Sequence, residues 1–306
     1  MKKMMTLAAL LACAVCLAQT SADDYAARYQ RQVRNAGAAG VGVETILDRW
    51  EADFPDDPAM FEGRSQYYLA KSLSTAVVPK DCQRFLGSDP VLVFKDTLGR
   101  DVRYFEENMF VDSLFALSQK AIDRAVALAP SELAYRVGKI TGLMLYEKES
   151  PDLATRELLG LIDYHNTTHP AWTYYGVAVD DDTFVSTIQE YCYNLFKYAT
   201  PGSFEAFKTV SETMLKAYPS NLGFMNNLGS YWLVYKGNYR QALKWYNKVL
   251  KKDPRDYNAA KNCVILARKQ KSAKLEKKYL PYLIDATDSE TERASSKARL
   301  EALQKK

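Results

Sequence analysis

Four segments of the chain share one arrangement of apolar and polar positions. Each ends in a proline, at Pro55, Pro130, Pro219 and Pro254, and five residues before these stand Trp50, Ala125, Met214 and Val249. Nine before stand Ile46, Ala121, Val210 and Trp245. Positions four apart lie on one side of an α-helix, so each segment predicts a helix with an apolar stripe that stops at its proline. Proline ends a helix because it has no N–H to donate, and Asp57, Ser131, Asn221 and Asp256 just beyond offer oxygens that cap the next one. The pattern therefore predicts antiparallel helix pairs over 41–75, 109–129 with its following helix, 186–218 and 222–252, with 256–283 sealing the end.

Two stretches break this helical rhythm. In "DPVLVFKDTLGRDVRYFEE", the runs Val91–Phe94 and Val102–Phe105 are β-branched and aromatic and flank the turn-forming "DTLGR", which predicts a β-hairpin near 91–105. The second, His165 to Thr183, contains "HPAWTYYGVAVDDD". Its rings Trp172, Tyr174 and Tyr175 offer large flat contact areas, suited either to stacking on a sugar or partner or to tethering the segment to the core.

One helix pair has a family likeness. "GNYRQALKWYNKVLKKDP", with Tyr239, Ala242, Tyr246, Val249 and Pro254, resembles the second helix of a tetratricopeptide repeat (TPR), and Leu228-Gly229 with Trp232 fit its first helix. Gly229 and Ala242 are small where the two helices cross, and Leu228, Trp232, Tyr246 and Val249 fill the space around the crossing. One residue more than usual separates Gly229 from Ala242, which predicts a longer turn around Lys236-Gly237-Asn238. The step of 35 residues from Pro219 to Pro254 is the family period plus that residue.

The resemblance implies an all-α, TPR-like α-solenoid of antiparallel helix pairs with a β-hairpin insertion. It divides the chain into a degenerate TPR-like region (19–203), a C-terminal TPR region with a capping helix (204–283) and a polar C-terminal tail (284–306). The chain is most similar to secreted, uncharacterised TPR proteins of Gram-negative, Bacteroidota-type envelopes, and the resemblance implies protein or peptide binding on the concave face built from first helices. Carried onto this chain, the partner-facing positions are Asn226 and Ser230, with Lys261 at the place equivalent to Asn226. The full basic clamp of carboxylate-binding TPR proteins is not present.

The N-terminus carries a separate signal. Lys2 and Lys3 precede the apolar run "MMTLAALLACAVCLA", too short to span a bilayer, which predicts a signal peptide over 1–18 with the mature chain starting at Gln19. Cleavage after Ala22 is the alternative, and "LLAC" offers a lipid anchor at Cys13. The expected location is the periplasm or the cell surface, with no transmembrane segment in the mature chain. Removing two lysines and no acids lowers the formal charge from +4 to about +2, which argues against nucleic-acid binding. The remaining cysteines, Cys82, Cys192 and Cys263, are odd in number and widely spaced, so they predict buried thiols rather than a disulfide framework.

Candidate chemistry is sparse. His165 and His169 are the only histidines and lie four apart, a spacing that presents both to one metal on a helix. The surrounding Asn, Thr, Thr and Pro favour a loop or a helix end, and Asp163 and Asp180–Asp182 are the only nearby third ligands. No "HEXXH", "GxSxG" or phosphate-cradling loop is present, so no catalytic residue, no bound metal and no cofactor are expected. The favoured expectation is a non-catalytic binding scaffold. Its rivals are a glycan-binding surface protein using Trp172, Tyr174 and Tyr175, and a metal-dependent hydrolase using His165 and His169.

Overall fold

A computed structural model describes residues 21–305 of the chain. The expected leader, its cleavage site at Ala18 and the Cys13 anchor lie outside the described residues. Within them the backbone forms thirteen α-helices, one π-helical turn and five short strands, divided into two compact units: 21–75 with 108–139, and 76–107 with 140–305. The boundary expected near 203 falls inside a continuous helix instead.

The first unit contains α1 (Ala22–Ala36), α2 (Val43–Asp53), α3 (Pro58–Ser72), α4 (Asp112–Leu128) and the start of α5 (Leu133–Glu147). The Pro55 boundary works as the pattern predicts. Trp50 is buried on α2 among Tyr25, Tyr29, Leu47 and Met60, and its indole N–H donates to Asp57. Asp57 also accepts from the Ala59 amide as the N-cap of α3, so one carboxylate both anchors the core ring and starts the next helix. Helices α3 and α4 pack closely enough for the Ser65 and Ser118 hydroxyls to meet at 3.0 Å.

Between α3 and α4 the chain runs through the sheet. Strands β1 (Leu73–Lys80), β2 (Leu92–Lys95) and β3 (Asp101–Phe110) lie in the order β1-β3-β2. The expected hairpin is β2 and β3, antiparallel with Leu92 opposite Tyr104 and Lys95 opposite Asp101. β1 was not legible in the sequence pattern. The insertion therefore interrupts the connection of a packed helix pair: α4 packs on α3, and through Ile122 and Ala125 it also meets Tyr135 of the following helix.

The second unit is a TPR-like α-solenoid. Its helices are α6 (Asp152–Thr168), α7 (Asp181–Tyr198), α8 (Pro201–Ala217), α9 (Leu222–Ser230), α10 (Tyr239–Lys252), α11 (Tyr257–Lys269), α12 (Ala273–Ala286) and α13 (Glu290–Gln304). From α7 onward each helix packs on the next, while α7 also touches α9, α9 touches α11, and α6 packs on α8. That alternation, sequential pairs whose alternate helices also meet, stacks repeats on one another. A short hairpin, β4 (Thr173–Tyr174) and β5 (Val177–Ala178), lies between α6 and α7.

Two expectations are corrected here. The extra residue between Gly229 and Ala242 does not lengthen the loop: α9 runs directly into a π-helical turn, Tyr231–Tyr235, in which the Lys236 amide bonds to the Tyr231 carbonyl. A π-turn takes up one added residue while keeping the helix ends in register. The polar C-terminal tail is the ordered helix α13, packed on α12. It is tied there by the buried Glu276 carboxylate, which accepts from Arg268 and Arg299, and by Leu303 in the core. Trp245 is half-buried beneath the Lys248 ammonium, 3.9 Å from its ring, so the fully buried ring of this helix is Tyr246 alone. Cys192 and Cys263 are buried, Cys82 partly so, and all three are free thiols; burial pushes those of Cys192 and Cys263 up to about 12.

Two outcomes follow from this packing. A Cβ built on Gly229 would lie 2.4 Å from the Tyr246 ring. Alanine ordinarily gains about 1 kcal/mol over glycine in a helix. Gly229→Ala should instead lose about 1–3 kcal/mol in urea denaturation, the cost of overpacking a filled crossing. At the C-terminus, the bond from Arg299, then that from Arg268, holds the Glu276 carboxyl below its ordinary value of 4.5. A depressed acid contributes stability that is present above its unfolded value and is lost as pH falls through the folded one. Hydrogen exchange in α13 should therefore accelerate below about pH 4.5 in the native protein, and less steeply in Glu276→Gln.

Candidate functional site

The alternate helices α7, α9 and α11 bring a set of uncharged polar side chains together. Gln189 comes from α7, Asn226, Asn227 and Ser230 from α9, and Asn258 and Asn262 from α11; they line a niche of about 180 Å³. None of these residues carries a charge. Those from α7 and α9 have identifiable supports. Gln189 and Asn227 exchange amide hydrogen bonds of 2.9 and 3.1 Å, and Asn227 also donates to the buried Ser211 hydroxyl. The Ser230 hydroxyl meets the Tyr246 hydroxyl at 3.1 Å, where the ring is pinned by the α9–α10 crossing.

Asn226 is the distinctive member. Only 9 % of its surface is exposed. Its Nδ2 donates to both oxygens of Asp256, each at 3.1 Å, and Asp256 is itself the N-cap of α11, bonded to the Ala259 amide. A carboxylate only accepts, so this pairing fixes the amide orientation and leaves Oδ1 turned away from Asp256. That Oδ1 is buried without a hydrogen-bond donor. A buried acceptor that met no donor would cost about 1–3 kcal/mol, so with no donor supplied by the protein Oδ1 is a position for one from outside it, a water or a ligand.

The structure brings Asn226 and Ser230 together and leaves Lys261 out. The Lys261 ammonium donates to the Tyr257 hydroxyl at 2.6 Å and pairs with Glu292 of α13 at 3.1 Å, and the same two contacts raise its pKa. The face of α11 that meets the niche carries Asn258 and Asn262, one turn apart, and a helix turns about 100° between Lys261 and Asn262. Both were legible only as polar residues four apart in "DYNAAKNC". Gln189 and Asn227 were missed because their role comes from stacking α7 on α9, a contact far apart in sequence.

The second candidate, the aromatic cluster, is divided by the fold. Trp172 is 3 % exposed, stacked in a layer with His165 and Phe184, so its ring is not available to a ligand. Tyr174 and Tyr175 are 42 % and 60 % exposed at the β4–β5 tip. Their rings meet edge to face at 82°, which gives no common flat surface. The histidine segment is a helix end: His165 lies inside α6, and His169 is its left-handed C-cap. Both ring nitrogens of His165 are engaged, Nδ1 by the Trp172 indole and Nε2 by the Tyr218 hydroxyl, each at 2.9 Å. No group of three or more metal-ligating side chains forms among the described residues.

A larger cavity, about 590 Å³, opens where Tyr193, Phe196 and Phe204 face the 82–87 loop and Val234 of the π-turn. Of the two buried acceptors that no protein group meets among the described residues, Gln119 Oε1 and Asn226 Oδ1, the second lies at the niche.

These contacts define a class, an all-α protein of stacked antiparallel helix pairs with a sheet insertion. No protein-family model matches the chain, and no curated protein matches it. Among solved structures the chain is similar to the flexible tandem repeat domain of a bacterial cellulose synthase component, at 18 % identity and a TM-score of 0.30, over 91 % of this chain and 97 % of that one. The repeat assignment rests on the helix contacts above rather than on that likeness.

The division of the aromatic cluster sets a test. Trp172→Ala should cost about 3–5 kcal/mol of stability, the loss for deleting a buried ring. Tyr175→Ala should stay within about 0.5 kcal/mol, as expected of an exposed position. Chemical denaturation of the two variants checks both.

Proposed function

We propose that this is a TPR protein that serves as a non-catalytic, protein- or peptide-binding scaffold of the bacterial cell envelope, and that it holds its partner on the face built by α7, α9 and α11. One observation carries the reading: the buried, donor-less Oδ1 of Asn226 in a niche lined by carboxamides from three stacked helices. Such a niche suits the N–H groups of an extended peptide, which present donors at regular spacing and no charge. The missing basic clamp and the engagement of Lys261 by Glu292 argue against a carboxylate as the main anchor. The envelope location is supported by the Lys-flanked apolar run at the N-terminus. The non-catalytic reading is supported by His165, whose two ring nitrogens are committed to Trp172 and Tyr218.

The test is a panel of fluorescent peptides, uncharged polar and acidic at the C-terminus, titrated against the mature chain. Uncharged polar peptides should bind, and Asn226→Ala should weaken them at least about tenfold, the equivalent of one charge-neutral hydrogen bond of about 1.4 kcal/mol. Lys261→Glu should leave that affinity within about twofold. Binding that requires a C-terminal carboxylate and is lost in Lys261→Glu would contradict the reading.

A further inference from the structure

The Tyr174–Tyr175 hairpin is held to the second unit by a chain of hydrogen bonds whose direction is fixed. Its base is closed by the Val179 amide bonding to the Trp172 carbonyl at 3.0 Å, and its tip turns through Tyr175 and Gly176, both in the left-handed region at φ 48° and 77°. Two successive residues of that kind make the tight turn that two-residue hairpins favour. Trp172 just before it is the anchor. Its indole N–H has no capacity to accept, so the bond it makes to Nδ1 of His165 requires that nitrogen to be unprotonated. The imidazole proton is then on Nε2, which donates to the Tyr218 hydroxyl, and that hydroxyl donates to Asp181 at 3.1 Å. The rings stack as the bonds direct: His165 lies 3.8 Å from Phe184, and Trp172 lies parallel to both.

We propose that His165 is a proton-operated latch on the Tyr174–Tyr175 hairpin: the neutral ring holds Trp172 down, and a second proton, on Nδ1, sets donor against donor, expels the indole and releases the hairpin.

The groups facing the ring decide whether the latch works in this sense. On α7, Asp181 lies 3.4 Å from Nε2 and favours the cation, but its side chain is well exposed and its field is screened by water. Asp182 beside it acts on Tyr218. From the end of α8, the Tyr218 hydroxyl is pushed up to about 12 by burial and by Asp181, so it stays protonated and keeps its role as donor to Asp181. On α6 itself, His169 opposes a second positive charge, and the Tyr164 ring packs on Trp172. Burial of His165 outweighs Asp181 and lowers its pKa from the ordinary 6.5. A histidine with a lowered pKa contributes stability that is complete above its free value and is lost as pH falls below it. If the released ring titrates near 6.5, the opening equilibrium rises about tenfold for each pH unit below that, until the locked ring itself takes up the proton.

Nitrogen-15 NMR of the two imidazoles, combined with hydrogen exchange of the full chain at pH 7.5 and 5.5, tests the latch. His165 should show the Nε2–H tautomer and a midpoint below 6.5. Exchange over residues 170–179, corrected for its intrinsic pH dependence, should be about tenfold faster at pH 5.5, with no change over 239–252. His165→Gln keeps one donor and one acceptor but takes no second proton, so it should remove the pH response. Trp172→Phe should raise the His165 midpoint. A His165 midpoint at or above 6.5, equal exchange at the two pH values, a tenfold response that survives in His165→Gln, or an unmoved midpoint in Trp172→Phe would each overturn the proposal. The native protein's titration stands even where a variant fails to fold.

Discussion

The crossing of α9 over α10 at Gly229 is the constraint on which the second unit depends. Tyr246 is fully buried with its ring against a glycine that leaves no room for one more carbon. With the ring placed there, its hydroxyl reaches Ser230, and Ser230 and Asn226 are held on the side of α9 that faces α7 and α11. The same core continues through Val249, Ala260, Cys263 and Tyr279 into α12, where Tyr279 bonds to Asn247 of α10. A shift at the crossing would therefore move the helix that supplies half of the niche.

The π-turn shows how tightly that constraint holds. An added residue in a helical hairpin has two outlets, a longer loop or a local widening of the helix. The loop outlet would have been simple, since Lys236, Gly237 and Asn238 are turn-forming residues. The chain widens instead, and the widened segment is bound on its far side: the Tyr231 hydroxyl and the Lys236 ammonium both donate to Glu205 of α8, and Tyr235 stacks on Phe204 at 4.8 Å. Those contacts hold the turn against the preceding repeat, so α10 enters the crossing in register.

What was readable in the sequence divides along physical lines. Helix ends were legible because a proline and a capping oxygen act within a few residues: Asp57, Asn221 and Asp256 are the caps, while before α5 the carboxylate of Glu132 rather than Ser131 accepts from the Ala134 amide. The hairpin β2–β3 was legible for the same reason, while β1 lacks a turn of its own. The polar tail misled because its helix shows few apolar positions, Leu300 and Leu303 meeting the core while Arg299 bonds to the buried Glu276. At the niche, Asn226 and Ser230 were legible through the repeat resemblance, whereas Asn258, Asn262, Gln189 and Asn227 depend on how helices stack. For Trp172 the sequence left ligand stacking and tethering to the core both open, because the rings that bury it, Tyr164 and His165 of α6 and Phe184 of α7, are brought to it only by the fold.

A double-mutant cycle between Gly229→Ala and Tyr246→Leu measures the crossing itself. If the ring and the glycine compete for one space, removing the ring relieves the clash, and the two changes together should cost less than their sum by more than about 0.5 kcal/mol, the limit within which independent sites add. Additive losses would contradict the account, because they would mean that Gly229 and Tyr246 support the fold separately.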